Sequence, residues 1–494
     1  MTDPAGDVPE QSAVRRAKLD RIRAAGGDPY PVGYPRTATA ADLHARFVGL
    51  SPDSATGERV AVAGRVVLRR DGGKLCFATL RDGTADLQVM LDLDGVGADA
   101  LAAWKSDVDL GDHIGVEGEV VSSRRGELSV RAASWRLTAK ALHPLPDKHQ
   151  GLSDPEARVR QRYLDLIVNP EARRMVHARD AVLASLRQTL RLRGFVEVET
   201  PVLQQMHGGA AARPFRTHLN AFDQDMYLRI ALELHLKRLV VGGIERVYEI
   251  GRIFRNEGVD TTHSPEFTML EAYQAYGDYD SMAELTRALV IDAATALGTT
   301  LIPDGRGGEL DLAAPWHAVT VHDAVAAVCG ESVTVDTPVE ALRLIAERHG
   351  VGLQPDWGAG AVVLELFEKL VEHTLVEPTF VRDYPAEVRP LARPHRLDPR
   401  LSEAWDLVVR GVELAPAYSE LVDPVEQRRR LTEQSLLAAG GDPEAMHLDE
   451  DFLRALEYGM PPSGGLGLGV DRLLMLLTGG NIRETILFPL VRPQ

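Results

Sequence analysis

The segment Val247–Tyr273, which reads VYEIGRIFRNEGVDTTHSPEFTMLEAY, restricts the possible folds more than any other part of the chain. Its first part, Val247–Glu257, is rich in β-branched and aromatic residues, and its last part, Glu266–Tyr273, alternates like a strand. Between them lie glycine, aspartate, threonine, serine and proline residues, which favour turns. The sequence therefore predicts an antiparallel hairpin with a long polar loop.

Side chains of such a hairpin alternate between the two faces of the sheet. Arg255 and Glu257 share one face of the first strand, and four residues share one face of the second: Phe267, Met269, Glu271 and Tyr273. If these faces coincide, an arginine, two carboxylates and two aromatic rings meet on one surface, which is costly unless it binds a polar ligand. A solvated sheet face with cross-strand ion pairs fits the spacing equally well.

The C-terminal segment SGGLGLGVDRLLMLLTGGNIRETILFP places a glycine-rich strand before a helix that is expected to begin near Asp471. Glycines allow a nucleotide to lie flat on the backbone, and Arg472 adds a permanent cation in the first helical turn. These glycines lie in a strand, whereas those of Rossmann and Walker sites lie in a loop. A flexible turn is the alternative interpretation.

Two carboxylates, Asp406 and Glu413, lie in the run WDLVVRGVELAPAYSELVDP. Their odd spacing would put them on opposite faces of a straight strand. Gly411 permits a tight turn that brings both to one side, where they would suit a hard cation with oxygen ligands. On spacing alone, solvated charge is the more common outcome.

A third polar region surrounds Gly208 and Gly209, which permit close approach of the backbone to a ligand. A helix is expected from Leu232 to Val241, with Glu233 in its first turn. A glutamate in that place usually does no more than interact favourably with the helix dipole.

Composition limits the class of protein. With 494 residues, of which 45% are hydrophobic and 26% charged, the chain predicts a soluble globular protein of about three domains. Two distant cysteines, Cys76 and Cys329, offer neither a disulfide framework nor a metal pattern, and no apolar run reaches membrane-spanning length. We therefore expect a cytoplasmic protein without membrane contact. The net charge of −17 argues against nucleic acid as a partner, except at a locally basic patch.

One basic patch is the expected helix from Ser12 to Ala25, which is either solvated or in contact with RNA and carries Arg15, Arg16, Lys18, Arg21 and Arg23. Residues 58–142 then contain five strand-like runs with a helical stretch before the fourth, which predicts an OB-fold barrel. Such barrels bind single strands through stacking aromatics and a basic rim. Phe77 is the candidate stacking residue unless it belongs to the core; the polar candidates are Arg69, Arg70, Lys74, Gln88 and Glu127.

The proline-rich run HPLPDKHQGLSDP marks the main domain boundary. The predicted division is an N-terminal extension with the basic helix (1–57), the barrel (58–145), a linker (146–155) and a second domain (156–494) with an insertion at about 300–380. The second domain begins with a long helix from about Pro170 to Arg193, and the strand FVEVETPVL follows it.

These segments together resemble class II aminoacyl-tRNA synthetases. FRNEG followed by HSPEFTMLEAY is similar to motif 2, most closely to that of the bacterial lysyl enzymes, and G-L-G-x-G-x-D-R before a helix is similar to motif 3. The long helix, strand and Pro201 resemble motif 1, which builds the homodimer interface in this family. The implied fold is α+β: a five-stranded OB-fold anticodon-binding barrel and a catalytic domain built on an antiparallel β-sheet flanked by helices.

The resemblance implies lysine–tRNA ligase activity, in which L-lysine and ATP form lysyl-adenylate and the lysyl group passes to tRNA-Lys. Arg255 and Arg472 would be catalytic, and ATP would contact Arg255, Glu257, His263, Phe267, Gly467, Gly469 and Arg472. Lysine would contact Gly209, Glu233, Glu271, Tyr273, Tyr418 and Glu420. Mg²⁺ would bind Asp406 and Glu413, and the anticodon would meet Arg69, Phe77, Gln88 and Glu127.

The chain departs from the family pattern beside the expected lysine pocket. Ala415-Pro416-Ala417 stands where the family commonly has G-N-G, and Leu232 and His235 stand where it often has proline and tyrosine. A paralog with altered amino-acid preference, or a catalytically silent RNA-binding paralog, is therefore an alternative. A lysyl ligase for elongation factor P is disfavoured, because such enzymes lack the barrel.

Overall fold

The computed structural model describes residues 10–146, 152–439 and 446–492; for residues 437–439 it describes the backbone only. The chain divides into two compact units, Met1–Ser153 and Asp154–Gln494. The division falls within the expected linker 146–155, of which residues 147–151 lie outside the described residues. The first nine residues of the expected extension lie outside them as well.

The first unit is a closed five-stranded barrel with strand order β1-β2-β3-β5-β4. Its core includes Trp104, which is fully buried and packs edge-on against Trp135. The elements are α1 (Glu10–Ala24), α2 (Ala40–Arg46), β1 (Ala55–Asp71), β2 (Leu75–Arg81), β3 (Asp86–Asp92), α3 (Leu93–Val96), α4 (Ala98–Asp107), β4 (His113–Ser122) and β5 (Leu128–Ala139). Buried Leu43 of α2 joins the barrel core, so the expected extension packs on the barrel and is not separate from it.

Three basic side chains of helix α1 form ion pairs or hydrogen bonds within the first unit. Lys18 Nζ lies 2.7 Å from Asp109, and Arg21 pairs with Asp107. Arg15 is buried and donates to the carbonyl oxygen of His143 at 3.0 Å. Neither of the two expectations for this helix, full solvation or RNA contact, describes these three side chains, because they hold the helix to the barrel.

The second unit is built on an eight-stranded sheet with strand order β14-β15-β16-β17-β18-β11-β10-β6. Neighbouring strands are antiparallel except β14 with β15 and β10 with β6. The strands of this unit are β6 (Val196–Glu197), β7 (Leu203–Gln204), β8 (Arg216–Leu219), β9 (Gln224–Leu228), β10 (Arg246–Phe254), β11 (Glu266–Ala275), β12 (Leu301–Pro303), β13 (Glu309–Asp311), β14 (His317–Thr320), β15 (Thr379–Arg382), β16 (Ala404–Val409), β17 (Val412–Ser419) and β18 (Ser463–Gly469).

Twelve α-helices of the described part accompany this sheet, and one face of the sheet shares its apolar core with α7, α9 and α15. They are α5 (Pro155–Arg160), α6 (Arg162–Val168), α7 (Pro170–Leu192), α8 (Glu233–Val241), α9 (Tyr279–Ala296), α10 (Val321–Cys329), α11 (Val339–Arg348), α12 (Ala359–Leu366), α13 (Pro424–Ala439), α14 (Glu450–Glu457), α15 (Val470–Thr478) and α16 (Ile482–Thr485). Alternate apolar residues such as Leu270, Leu407 and Leu468 fill that face. The polar residues between them therefore point to the opposite face.

Two expectations differ from the observed elements. The strand expected at FVEVETPVL is only the short β6 and the start of β7, because Pro201 has no N–H for continuous pairing. The expected insertion at 300–380 contributes β14, which pairs with β15 in the main sheet. Outside the sheet this segment forms α10 to α12 and a π-helix at Phe367–Val371. Within residues 10–146, 152–439 and 446–492, no helix is long and apolar enough to cross a membrane.

Candidate active site

The open face of the sheet is lined by residues that alternate along three neighbouring strands. Tyr273, Gly465 and Tyr418 form one row across β11, β18 and β17. Glu271 pairs with Gly467 in the next row, and Met269 pairs with Gly469 beyond it. The alternation predicted for the hairpin is thus present, and the strand glycines lie between its side chains.

The glycines of β18 make room for site side chains as well as for a ligand. A Cβ atom at Gly465 would collide with Oε1 of Glu420, and one at Gly467 would lie 2.7 Å from Cε of Met269. Met269 therefore covers the expected ATP contact at Gly467, whereas Gly469 lines the open cleft. Glycine is required here because buried side chains approach the backbone closely.

At one end of this face lies an open cleft. It brings together the loop of the hairpin, β17 and the start of α15. Among its lining residues are Arg255, Glu257, His263, Phe267, Glu413, Pro416, Gly469 and Arg472. Six of the seven residues expected to contact ATP are in this set, and Gly467 is the exception.

Arg255 lies just past the end of β10, so the expected strand up to Glu257 is three residues too long. Its guanidinium carbon lies 5.4 Å from the centre of the Phe267 ring, and its Nε donates to the carbonyl oxygen of Ile230 at 3.3 Å. Burial lowers the pKa of Arg255 and is partly offset by nearby carboxylates, Glu257 first. Glu257 is exposed beside it, and exposed His263 pairs with Asp260 at 2.9 Å. The loop thus presents a fixed cation next to an aromatic face.

Arg472 faces Arg255 across the cleft from the first turn of α15. Its Nη1 donates to the carbonyl oxygen of Glu413 at 2.7 Å. Pairing of β17 with β18 begins only at Ala417, one residue after Pro416. The strands separate at this point, because proline has no N–H to donate, and the separation leaves the Glu413 carbonyl free for Arg472.

Asp471, the neighbour of Arg472, is anchored on the back of the sheet. Its carboxylate accepts a hydrogen bond from the backbone N–H of Thr268 at 2.7 Å and pairs with Arg179 of α7 at 2.6 Å. Arg179 also donates to the hydroxyl of Thr268 at 2.8 Å. This network connects α7, β11 and α15, and it fixes the turn from which Arg472 projects.

The two expected metal ligands, Asp406 and Glu413, lie on the same face of β16 and β17. The register gives Asp406 opposite Pro416 and Val408 opposite Glu413, with Leu414 as an extra bulged residue. A bulge shifts the alternation by one residue. Asp406 and Glu413 therefore face the same side although an odd number of residues separates them. Burial raises the pKa of Asp406 to about 6, an increase that the Arg389 cation limits.

These residues fit a magnesium ion. Arg389 pairs with one oxygen of Asp406, and the other oxygen, Oδ1, is buried without a hydrogen bond of standard geometry among the described residues, although the Tyr384 hydroxyl is close enough to lower the pKa of this carboxyl. Burial and the charge of Glu413 raise the pKa of nearby Glu372 to about 7. The described part of the chain holds no group of three or more side-chain metal ligands. Two carboxylates are sufficient for Mg²⁺ when substrate phosphates supply further oxygens.

At the other end of the face lies an anionic pocket. Glu271 is buried, and its two oxygens accept from the backbone N–H of Leu232 at 2.9 Å and from the Tyr273 hydroxyl at 3.1 Å. Burial and the charge of Glu233 raise the pKa of Glu271 to about 7. Because these carboxylates are buried and repel one another, a cation that enters the pocket is strongly stabilised.

Four further members of this pocket were expected from the sequence: Gly209, Glu233, Tyr418 and Glu420. Glu233 begins α8 and is 5% exposed, and Glu420 is 2% exposed. Gly209 has a φ of +85°, and a Cβ there would lie 3.1 Å from Cβ of Glu233. Burial raises the pKa of Tyr418, which lies in the same row as Tyr273. The structure thus brings all six residues expected to contact lysine to the anionic end of this sheet face.

The barrel shows where an aromatic surface is available for nucleic acid. Phe77 is half-buried and lies on the outer face of β2, between inward-facing Cys76 and Ala78. Gln88 donates to the Ser129 hydroxyl at 2.9 Å, and that hydroxyl donates to the backbone carbonyl of Glu127 at 3.0 Å. Three of the four residues expected to contact the anticodon therefore remain on or beside one outer surface.

Arg69, the fourth, lies on the opposite face of its strand. It pairs with inward-facing Ala78 and donates to the carbonyl oxygens of Val108 and Lys105. Arg70 is the neighbour of Phe77. A bulge between Val66 and Leu68 reverses the alternation, so Arg70 and not Arg69 lies on the face of Phe77, and a contact of Arg69 with the anticodon stays a prediction.

Comparison with known proteins agrees with this geometry. The family described as "tRNA synthetases class II (D, K and N)" matches residues 154–492, and the "OB-fold nucleic acid binding domain" family matches residues 60–138. The lysine–tRNA ligase of Kineococcus radiotolerans is 60% identical over 491 residues, which cover 99% of this chain and 98% of that protein. The chain belongs to the class II lysine–tRNA ligases. It is an aminoacyl-tRNA ligase with an OB-fold domain and an α+β catalytic domain.

Other relatives of this ligase span its whole length. The lysine–tRNA ligase of Mycolicibacterium gilvum is 56% identical over 498 residues, covering 100% of this chain and 99% of that protein. The lysylphosphatidylglycerol biosynthesis bifunctional protein LysX of Nocardia farcinica is 55% identical over 499 residues, which are 100% of this chain and 44% of that longer protein.

Three residues of the ligase site were not found from the sequence. Lys237 lies between the pocket carboxylates, and its spacing of four residues from Glu233 on one helix was a usable signal. Arg179 and Arg389 reach the site from distant parts of the chain. No local pattern marks these two arginines, because their partners are brought to them only by tertiary packing.

Proposed function

We propose that this lysine–tRNA ligase forms lysyl-adenylate in the cleft between its two facing arginines, with ATP at the Phe267 end and lysine at the Glu271 end. The observation that carries the proposal is the convergence of Arg255 and Arg472 with a buried anionic pocket on one sheet face. Cations at one end suit phosphates, and carboxylates at the other suit an ammonium group.

The ATP end has a role for each lining residue. Adenine stacks on Phe267, whose ring already lies beside Arg255. Arg255 holds the α-phosphate and the lysine carboxylate, and Arg472 holds the γ-phosphate. Glu257, His263 and the backbone at Gly469 contact the remaining parts of the nucleotide, whereas Gly467 lies under Met269 and makes room for it. Rigid cations placed before the reaction stabilise charge that develops in the transition state.

Asp406 and Glu413 would hold Mg²⁺, a proposal supported by the buried Oδ1 of Asp406, which lacks a hydrogen bond of standard geometry among the described residues. When bound, the ion neutralises part of the phosphate charge. Arg389 keeps the Asp406 carboxylate in place from the other side.

The lysine end recognises its substrate by charge. Glu233, Glu271 and Glu420 accept the two ammonium groups, Gly209 gives the substrate backbone room, and Tyr273 and Tyr418 enclose the aliphatic chain. A buried carboxylate left without a cation is costly, so neutral amino acids bind poorly.

The reaction needs no nucleophile from the protein. A carboxylate oxygen of lysine attacks the α-phosphate, the bond to the β-phosphate breaks, and pyrophosphate leaves. A ribose hydroxyl at the 3′ end of tRNA-Lys then attacks the carbonyl carbon of the adenylate, and AMP leaves. Positioning and charge stabilisation account for the catalysis.

The barrel contributes anticodon recognition. Phe77 stacks on a base, Gln88 and Glu127 contact base edges, and Arg70 in place of Arg69 contacts the backbone. The outer position of Phe77 supports this assignment.

We also propose that the enzyme is a cytoplasmic homodimer. A group of exposed apolar residues follows α7 and supports a subunit interface there: Leu192, Val196, Val202, Leu203 and Met206. Exposed apolar groups of this kind mark protein contacts. Cys76 and Cys329 are free, which suits a reducing compartment.

ATP–pyrophosphate exchange with each of the twenty amino acids tests the activation step, and charging of tRNA-Lys tests the transfer step. Lysine should support exchange far better than any other amino acid. Exchange with another amino acid alone would favour the altered-preference paralog, for which Pro416 at the cleft is the suspected cause. Absence of exchange with every amino acid would favour the silent paralog.

A further inference from the structure

Lys237 is a fully buried lysine inside the pocket that is expected to receive a lysine. Its Nζ lies 2.6 Å from Oε1 of Glu233 and 2.5 Å from Oε2 of Glu420. The same ammonium lies 6.0 Å from the centre of the Tyr273 ring. An unpaired buried ammonium would be very costly. The two carboxylates therefore stabilise the Lys237 ammonium, and the three side chains form one unit of the pocket.

We infer that Lys237 is a positioning residue that acts as the fixed counter-ion of the lysine pocket: it holds Glu233 and Glu420 by one oxygen each and sets the charge that the substrate must neutralise. The inference rests on the proposed function of this pocket.

The contacts of Glu420 show that Lys237 supports the pocket without filling it. Both oxygens of Glu420 are buried without a hydrogen bond of standard geometry among the described residues, and Oε2 is the one that forms the close ion pair with Lys237. The other oxygen, Oε1, lies over Gly465, on the sheet face that lines the cleft. One oxygen is therefore held by the protein, and the other is available for a substrate ammonium.

The charge count fits a substrate with two ammonium groups. When all three are ionised, the buried carboxylates Glu233, Glu271 and Glu420 oppose one fixed cation, Lys237, which leaves two negative charges for a bound substrate to neutralise. Free lysine has two ammonium groups, and its carboxylate is assigned to Arg255. An amino acid with a single ammonium would leave one buried carboxylate without a cation.

Titration behaviour agrees with this role. Burial alone would lower the pKa of Lys237, but Glu233 and Glu420 raise it above its ordinary value. Burial raises the pKa of Glu420, and the Lys237 ammonium offsets part of that increase. Without Lys237, Glu420 would bind a proton more readily, and a protonated carboxyl neutralises a substrate cation poorly.

The test is calorimetric titration of lysine into the whole enzyme without ATP, so that it does not depend on catalysis. Lys237→Met should raise the Kd for lysine at least about tenfold, because it leaves the pocket carboxylates without their fixed partner. In a separate titration the Kd for ATP should stay within about twofold, because the nucleotide end is unchanged. Lys237→Gln, which keeps hydrogen-bond donors but not the charge, should behave like Lys237→Met.

The matched control is Arg238→Met. Arg238 is the next residue of α8 and pairs with Asp449 outside the pocket at 3.0 Å. Its loss should leave the Kd for lysine within about twofold. Glu233→Gln should raise the Kd for lysine less in the Lys237→Met protein than in the wild type. In the Lys237→Met protein it removes a carboxylate that has already lost its cation.

An unchanged or lower Kd for lysine in both Lys237 variants would overturn the inference, as would an equal loss of ATP affinity. A Lys237→Met protein that does not fold leaves Lys237→Gln to decide, with the melting temperature of each variant recorded. If the wild type binds lysine but shows no pyrophosphate exchange, the proposed function fails while this inference remains open to the same titration.

Discussion

The catalytic cleft and the outer face of the barrel handle polar groups in opposite ways. In the cleft, Glu271 and Glu420 are nearly inaccessible and their partners are already in place. On the barrel, Phe77 is half-buried and Glu127 is exposed. The cleft is organised before a ligand arrives, as a site that stabilises developing charge requires. The barrel face keeps its stacking surface free, and a nucleic acid completes it.

The largest effect should come from the cleft. Arg255→Ala removes the cation between Phe267 and the carboxylates, and pyrophosphate exchange should fall by about 10²–10³-fold, as for other single electrostatic donors. The binding of tRNA-Lys, measured by filter retention, should hardly change. An exchange rate within a few-fold of the wild type would show that the cleft is not organised around this cation.

Phe77→Ala should have the opposite pattern of effects: it should weaken tRNA binding and leave the activation of lysine unchanged. Loss of one stacking side chain costs about 1–3 kcal/mol per base, which corresponds to a KM for tRNA-Lys about 5–150-fold higher. Pyrophosphate exchange, which needs no tRNA, should be unaffected. The control is Phe222→Ala, an exposed aromatic of the second unit, and equal losses for both variants would contradict a specific role of Phe77.

The affinity for lysine should increase with pH, whereas stacking on Phe77 has no such dependence. Burial and Glu233 raise the pKa of Glu271 to about 7, so its carboxyl is largely protonated at pH 6 and ionised at pH 8. Because only the ionised form neutralises an ammonium, the Kd for lysine should fall about tenfold between these values. Calorimetry measures this change, and Glu271→Gln should reduce it, while Glu420, whose pKa burial raises to about 8, should retain the part that lies nearer pH 8. A flat profile for the wild type would mean that Glu271 does not titrate there.

The smallest effect should distinguish two adjacent arginines of the barrel. Arg70→Ala should weaken tRNA binding a few-fold and reduce the salt dependence by about one ion, as expected for one phosphate contact. Arg69→Ala should leave tRNA affinity unchanged and lower the melting temperature, since its hydrogen bonds join β1 to the last turn of α4 and to Val108, which follows it. The reverse pattern would restore the original assignment of Arg69.

Local sequence patterns predicted the elements that carry the site. Alternation placed Phe267, Met269, Glu271 and Tyr273 on one face of a hairpin strand, and the structure has this face. The glycine-rich strand before Arg472 and the five-stranded barrel were also predicted. These features depend on periods of two or on turn residues, which are properties of short segments.

Only the tertiary structure decided which residues meet. The bulge at Val66–Leu68 places Arg70, and not Arg69, on the face of Phe77. The bulge at Leu414 brings Glu413 to the same face as Asp406. One inserted residue reverses every later side chain of a strand, and its position depends on the partner strand. The sequence by itself thus determined the family, the two domains and the candidate residues. Packing between distant segments determined their faces, the anchoring of Arg472 through Asp471, and the cation that Lys237 places in the lysine pocket.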